Sequence, residues 1–241
     1  MAVYYVNGTT GSNSNAGTST SAPWLTIGKA LATGSTVAAG DTVHIAPGRY
    51  SETVTVAISG SSSNHINIYG DSDGVVFGTP GQVIWTGHSS GDDAAPTGVP
   101  CTLNAQDWLN FEDLIFHGDD ASAAASCVSA ATLSSQNIIF RRCVFMGQGN
   151  GYAIQLNTTG TTPATWIIDK CSFFGRCRGL FVSHALASAT SNVDLDVQIT
   201  NCVFAVSSAG IQTSTSGTAG TGRPGGVDVI NCTFILNDYG F

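Results

Sequence analysis

The chain has 241 residues, of which 42% are apolar and 10% charged, and its net charge is −8. That apolar content supports a sizeable core in one long domain or at most two, and the acidic balance argues against a nucleic-acid partner, which asks for a basic face. No stretch reaches the roughly 18 consecutive apolar residues of a membrane span, so no membrane segment is expected.

The N-terminal MAVYYVNGTTG has neither a basic region nor an apolar run, so no secretory signal is read there. Residues 2–7 read as a first strand. A polar loop follows, then WLTIGKALA (24–32), in which Trp24, Ile27, Ala30 and Leu31 fall at helical spacing and Ser21 or Pro23 stands where a helix opens. A short amphipathic helix there would cover the open end of a solenoid, whose terminal units are atypical. Residues 1–37 are therefore read as an N-terminal cap and 38–241 as the repetitive body. In 38–71, Val43 and Ile45, Val54 and Val56, and Ile66 and Ile68 alternate inward, and Pro47–Gly48 turns the chain.

Two segments here carry a resemblance. YYVNGTTGSNSNAGTSTSAPWLTIGKAL followed by GDTVHIAPGRY resembles the cap and first coil of the pectate-lyase-like, right-handed parallel β-helix superfamily. Ser14 departs from it, standing near a position where that group often has an acidic residue. The resemblance covers 3–71 through these motifs and 109–241 through the coil pattern. It implies the fold. Its members include lyases, hydrolases, epimerases, tailspikes and inert virion parts, so it implies activity only as a menu.

Residues 72–108 are less regular. Val75–Val76–Phe77 and Val83–Ile84–Trp85 read as strand pieces, followed by the polar excursion TGHSSGDDAAPTGVP. From 109 the chain repeats one phrase: LNFEDLIF, IIFRRCVF, WIIDKCSF, VQITNCVF and VDVINCTF, starting 29, 28, 31 and 30 residues apart. A fixed period of this size signals a solenoid. The phrases stack into four apolar columns: Leu109, Ile138, Trp166, Val197 and Val227; Phe111, Phe140, Ile168, Ile199 and Val229; Leu114, Cys143, Cys171, Cys202 and Cys232; and Phe116, Phe145, Phe173, Phe204 and Phe234. Steps of two within a column set read as strand with one face buried, and the step of three reads as a bend between two strands. A third apolar patch follows in each of the last four repeats, at Ile154, Leu180, Ile211 and Phe241. The predicted architecture is an all-β, single-stranded right-handed parallel β-helix. Its last coil breaks off at Asp238–Phe241, so the C-terminal end is expected to be uncapped, with Cys232, Phe234, Tyr239 and Phe241 as an assembly surface for self-association or another subunit.

Seven cysteines are present, four of them in one inward column, which reads as buried free thiols acting as small hydrophobes. At the bend, Glu112, Arg141 and Asp169 fall side by side on successive coils, as do Asp113, Arg142 and Lys170, and Asn201 and Asn231 suit a left-handed turn position. The bland reading is a lateral ladder of opposite charges. The resemblance adds another, because pectate-lyase relatives use carboxylates to hold calcium and an Arg as base, which makes Asp169 and Arg141 catalytic candidates. Glycosidases need two carboxylates roughly 5–10 Å apart, and Asp194 and Asp196, two apart on a strand, share a face. The acidic pairs Asp92–Asp93 and Asp119–Asp120 in Gly/Ser-rich loops are calcium candidates. No other cofactor is expected. Trp85, Trp108, Tyr152 and Tyr239 are the aromatic residues that could stack on a sugar.

Three functions follow as expectations. The first is a non-catalytic structural or adhesion module of a virion (tail fibre, tailspike or capsid decoration) or another extracellular assembly. The second is a polysaccharide lyase or glycoside hydrolase. The third is the carbohydrate-binding domain of a longer secreted protein.

Overall fold

In the computed structural model of the protein, the described residues are 1–87, 98–103, 105–118, 126–130, 136–147, 151–158, 164–185, 195–206, 209–216 and 226–236. They build three parallel sheets, to which the successive coils from Thr42 to Ser216 each contribute one strand in turn. The first sheet has eight strands: Val3–Val6, Thr42–Ile45, Ile66–Gly70, Leu109–Glu112, Ile138–Arg141, Ala164–Asp169, Leu195–Thr200 and Val227–Ile230. The second has seven: Gly48–Ser51, Val83–Thr86, Ile115–His117, Val144–Gly147, Ser172–Gly175, Val203–Val206 and Thr233–Leu236. The third has six: Val54–Val56, Cys101–Leu103, Val128–Ala130, Tyr152–Thr158, Arg178–Ala185 and Ile211–Ser216. This is a parallel β-helix of the right-handed type.

The apolar columns become the core because parallel pairing without slippage puts equivalent residues one strand spacing apart. Ile138 lies opposite Leu109 and Trp166, and Phe140 opposite Phe111 and Ile168. The Phe column stacks along the second sheet, with centroids 5.3 Å apart for Phe116–Phe145, 4.9 Å for Phe145–Phe173, 4.3 Å for Phe173–Phe204 and 4.9 Å for Phe204–Phe234. Ile154, Leu180 and Ile211 align on the third sheet as the pattern predicts. All seven cysteines are free thiols, and six of them are buried. Burial in an apolar core pushes up the thiols of Cys101, Cys127, Cys171 and Cys177, the last to about 11.

At the bend between the first and second sheets, Asp113, Arg142, Lys170, Asn201 and Asn231 all have φ between 50° and 57°. The bend takes a left-handed residue in each of these five coils. The asparagines and Asp113 adopt it readily, whereas Arg142 and Lys170 do so against their intrinsic preference.

Some sequence expectations need correction. The helix is shorter than read, Ile27–Leu31, with the Thr26 side chain accepting from the Lys29 N–H as N-cap. Trp24 precedes it, bridges to Val6 and stacks on Tyr4 at 4.8 Å. Gly17, at φ 72°, leaves room for that indole, since a Cβ there would come within 2.4 Å of the ring. The first turn of the helix is closed by Glu52, whose carboxylate accepts from the N–H groups of Ile27 and Gly28, both at 2.9 Å. Val75–Phe77 is a turn rather than a strand. Asp71 is the reason, because its two carboxylate oxygens accept from the N–H groups of Val76 and Phe77 and curl the backbone around it. Trp85 is fully buried and packs on Phe116 at 5.4 Å, so it belongs to the core rather than to a sugar-facing surface.

Candidate functional site

The bend is where the repeat concentrates charge, so its geometry decides what chemistry is open to it. Register places Glu112, Arg141 and Asp169 side by side, as the repeat predicts. The ion pairs are nevertheless made by Arg142. Its guanidinium donates to both oxygens of Asp113, at 2.9 and 2.7 Å, and also reaches Glu112 at 2.6 Å. The pair with Asp113 is the one that the repeat spacing sets side by side, and from the left-handed turn at position 142 the same guanidinium also takes Glu112. The Asp113 hydrogen bonds, outweighing burial, push Arg142 further above its usual value.

Asp169 is held from the other side. Its Oδ1 accepts from Thr200 Oγ1 at 2.6 Å and from Asn201 Nδ2 at 2.9 Å, and Asn201 Oδ1 accepts in turn from Asn231 Nδ2 at 2.7 Å. Burial pulls the Asp169 carboxyl up, yet these hydrogen bonds, with Lys170 and Arg141 nearby, outweigh it and leave the group below the usual carboxylate value. A proton donor for glycoside cleavage needs the opposite, a carboxyl raised towards neutrality.

Burial does raise two carboxyls, Glu52 and Asp107. Each is tied to backbone N–H groups: Glu52 to the helix start, and Asp107 to Gln136 at 2.7 Å. Asp196 accepts from Gln198 Nε2 at 3.1 Å and lies opposite Thr165 on the neighbouring coil. Its proposed mate Asp194 lies outside the described residues, as do Asp92, Asp93, Asp119, Asp120, Tyr239 and Phe241. Among the described residues no three His, Cys, Asp or Glu side chains come together as a metal would require. Cys232 is half-buried in the inward column, and Phe234 is 45% exposed while stacking on Phe204.

Beside the bend, an open groove of about 320 Å³ runs past His44, Tyr69, Asp73, Glu112 and Arg142. Burial pulls the His44 imidazole below its usual value, against the pull of Asp71.

The outer face of the third sheet offers a different surface. Tyr152 opens the strand Tyr152–Thr158 and lies against Phe181 of the next coil, with ring centroids 4.6 Å apart and planes 25° from parallel. Sequence reading singled out Tyr152 but missed Phe181, Arg178 and Gln212. The signal was present as the outward positions of YAIQL, GLFV and GIQT, which parallel register aligns as Gln155, Phe181 and Gln212. Trp108 is half-buried, at 5.3 Å from His65.

Residues 9–162, more than half of the chain, match the model of a family described as "Protein of unknown function (DUF1565)". The chain belongs to that family. No curated protein matches this DUF1565 sequence. Among solved structures, a GH136 lacto-N-biosidase from Eubacterium ramulus is 14% identical with a TM-score of 0.57, over 88% of this chain and 43% of its own. The chain thus spans less than half the length of that enzyme. A pectate lyase overlaps at 13% identity and TM-score 0.45, over 100% of this chain and 79% of its own. A pectin methylesterase from Aspergillus niger overlaps at 14% and 0.43, over 99% and 90%. The likeness to the lacto-N-biosidase shows the fold.

Proposed function

We propose that this DUF1565 chain is a non-catalytic β-helix module that engages carbohydrate, acting as a structural or adhesion element. The observation that carries the non-catalytic part is the condition of the bend: Glu112 and Asp113 are both engaged by the Arg142 guanidinium, and Asp169 is held by hydrogen bonds that favour its charged form. A carboxylate held charged in this way does not give a proton to a leaving group, the step that glycoside cleavage asks of its acid. Carbohydrate as the ligand class draws on the fold shared with the lacto-N-biosidase and on the aromatic pair Tyr152–Phe181 on the third sheet.

The test is to run the purified chain through native gels cast with soluble polysaccharides, and to assay the same mixtures for new reducing ends and for unsaturated products. The expected result is retardation by at least one polysaccharide with no product. Product formation would remove the non-catalytic reading, and unretarded migration in every gel would remove the carbohydrate reading.

A further inference from the structure

We propose that the outer face of the third sheet is a binding site for a glycan that carries an anionic substituent, with Phe181 and Tyr152 as the stacking platform and Arg178 as the anion contact. This rests on the carbohydrate reading above and gives it a place and a ligand chemistry.

The platform is assembled from three successive coils. Tyr152 comes from one coil and its ring lies against Phe181 of the next. Its hydroxyl then reaches Gln212 Oε1, at 2.9 Å, one coil further on. Register sets Gln155 and Gln212 on either side of Phe181, so amide groups flank the rings. Aromatic faces carry negative charge density and attract the weakly positive C–H face of a pyranose, while flanking amides can serve its hydroxyls.

Arg178 sets the charge preference. Its Nη1 donates to Tyr152 Oη at 2.8 Å, and its guanidinium carbon sits 5.2 Å from the centre of the same ring. That leaves the side chain fixed before any ligand arrives, which lowers the entropy lost on binding. Among the described residues no carboxylate pairs with Arg178, whereas Arg142 at the bend carries two. A guanidinium fork held in place, without a carboxylate, fits a carboxylate or sulfate group supplied from outside. The interactions within the cluster would also stabilise the coil stack, so the test must separate binding from folding.

Binding of the full chain is measured by calorimetry against three oligosaccharide probes of equal length: a hexuronate, a sulfated glucan and an uncharged glucan. The expected result is that one or both charged probes bind at least about tenfold more tightly than the uncharged one, and the two charged arms tell carboxylate from sulfate. Arg178→Gln should erase that preference, and Phe181→Ala should weaken every probe. Gln212→Glu, which keeps an acceptor for the Tyr152 hydroxyl and adds a negative charge, should weaken the charged probes more than the uncharged one. Charged-probe binding unaffected by all three substitutions would overturn this site and leave the carbohydrate reading standing. Equal affinity for charged and uncharged probes would overturn the anionic class, and no binding of any probe would count against both.

Discussion

Lys170 shows what the repeat costs a single residue. It sits at φ 55° at the bend, in the position that Asn201 and Asn231 fill in later coils. A left-handed conformation costs an ordinary L-residue about 1–2 kcal/mol, and Asn less, because its short amide bonds locally. Asn201 donates to Asp169 and Asn231 donates to Asn201, so the amides also form a ladder along the bend. Lys170→Asn is therefore expected to stabilise the chain by about 1 kcal/mol, seen as a higher unfolding midpoint in urea. A lower midpoint would mean that the Lys170 charge beside Asp169 outweighs the backbone term. Arg142 bears the same backbone cost at φ 50° and is compensated by its bidentate contact to Asp113.

Among the elements, the strands of the second sheet carry an unbroken column of stacked rings. Phe173 is fully buried between Phe145 and Phe204, with ring centres at 4.9 and 4.3 Å. Each such ring pair adds about 0.5–1.5 kcal/mol beyond the area it buries. Phe173→Ala removes one ring from two pairs and leaves a void, so a loss of about 3–5 kcal/mol is expected. Phe173→Leu keeps most of the volume and should cost clearly less. Equilibrium denaturation of both variants checks this, and equal losses would mean that ring stacking, rather than filled volume, holds the column. The helix Ile27–Leu31 is the counter-example to strand regularity. Its five residues are too few to be stable alone, and they hold because Ile27, Ala30 and Leu31 are buried and Thr26 and Glu52 satisfy its first N–H groups.

For the whole molecule, the titrating groups predict a direction with pH. Burial lowers both His44 and His65 below the usual imidazole value. A histidine whose folded value is depressed binds its proton more readily in the unfolded chain. Its contribution is therefore intact above about pH 6.5 and is lost as pH falls below that. Glu52 and Asp107 are raised by burial and act the opposite way, at more acidic pH. Stability should fall between pH 7.5 and 5.5, and the double variant His44→Gln, His65→Gln should flatten that fall. A slope unchanged in the double variant would assign the dependence elsewhere.

Much of this could be read before folding was considered. Alternation of two, a step of three at the bend and a period near thirty are local in sequence, and a stacked solenoid only asks each coil to match its neighbour. That is why the columns ending in Phe116, Phe145, Phe173 and Phe204 lie buried in register as read. The less regular stretch misled for a local reason: Val75–Phe77 looks extended until the Asp71 carboxylate takes its N–H groups. The outward side chains were harder still. Spacing put Asp113 next to Arg142, which pair as read, and Glu112 next to Arg141, but the guanidinium that reaches Glu112 is that of Arg142. Tyr152 meets Gln212, 60 residues away, only because two further coils carry the chain back beneath its ring. By itself the sequence determined the solenoid, its register and its buried columns, because burial follows period. Which polar and aromatic groups meet on the surface was decided by tertiary structure, because long side chains choose partners by direction as well as by position.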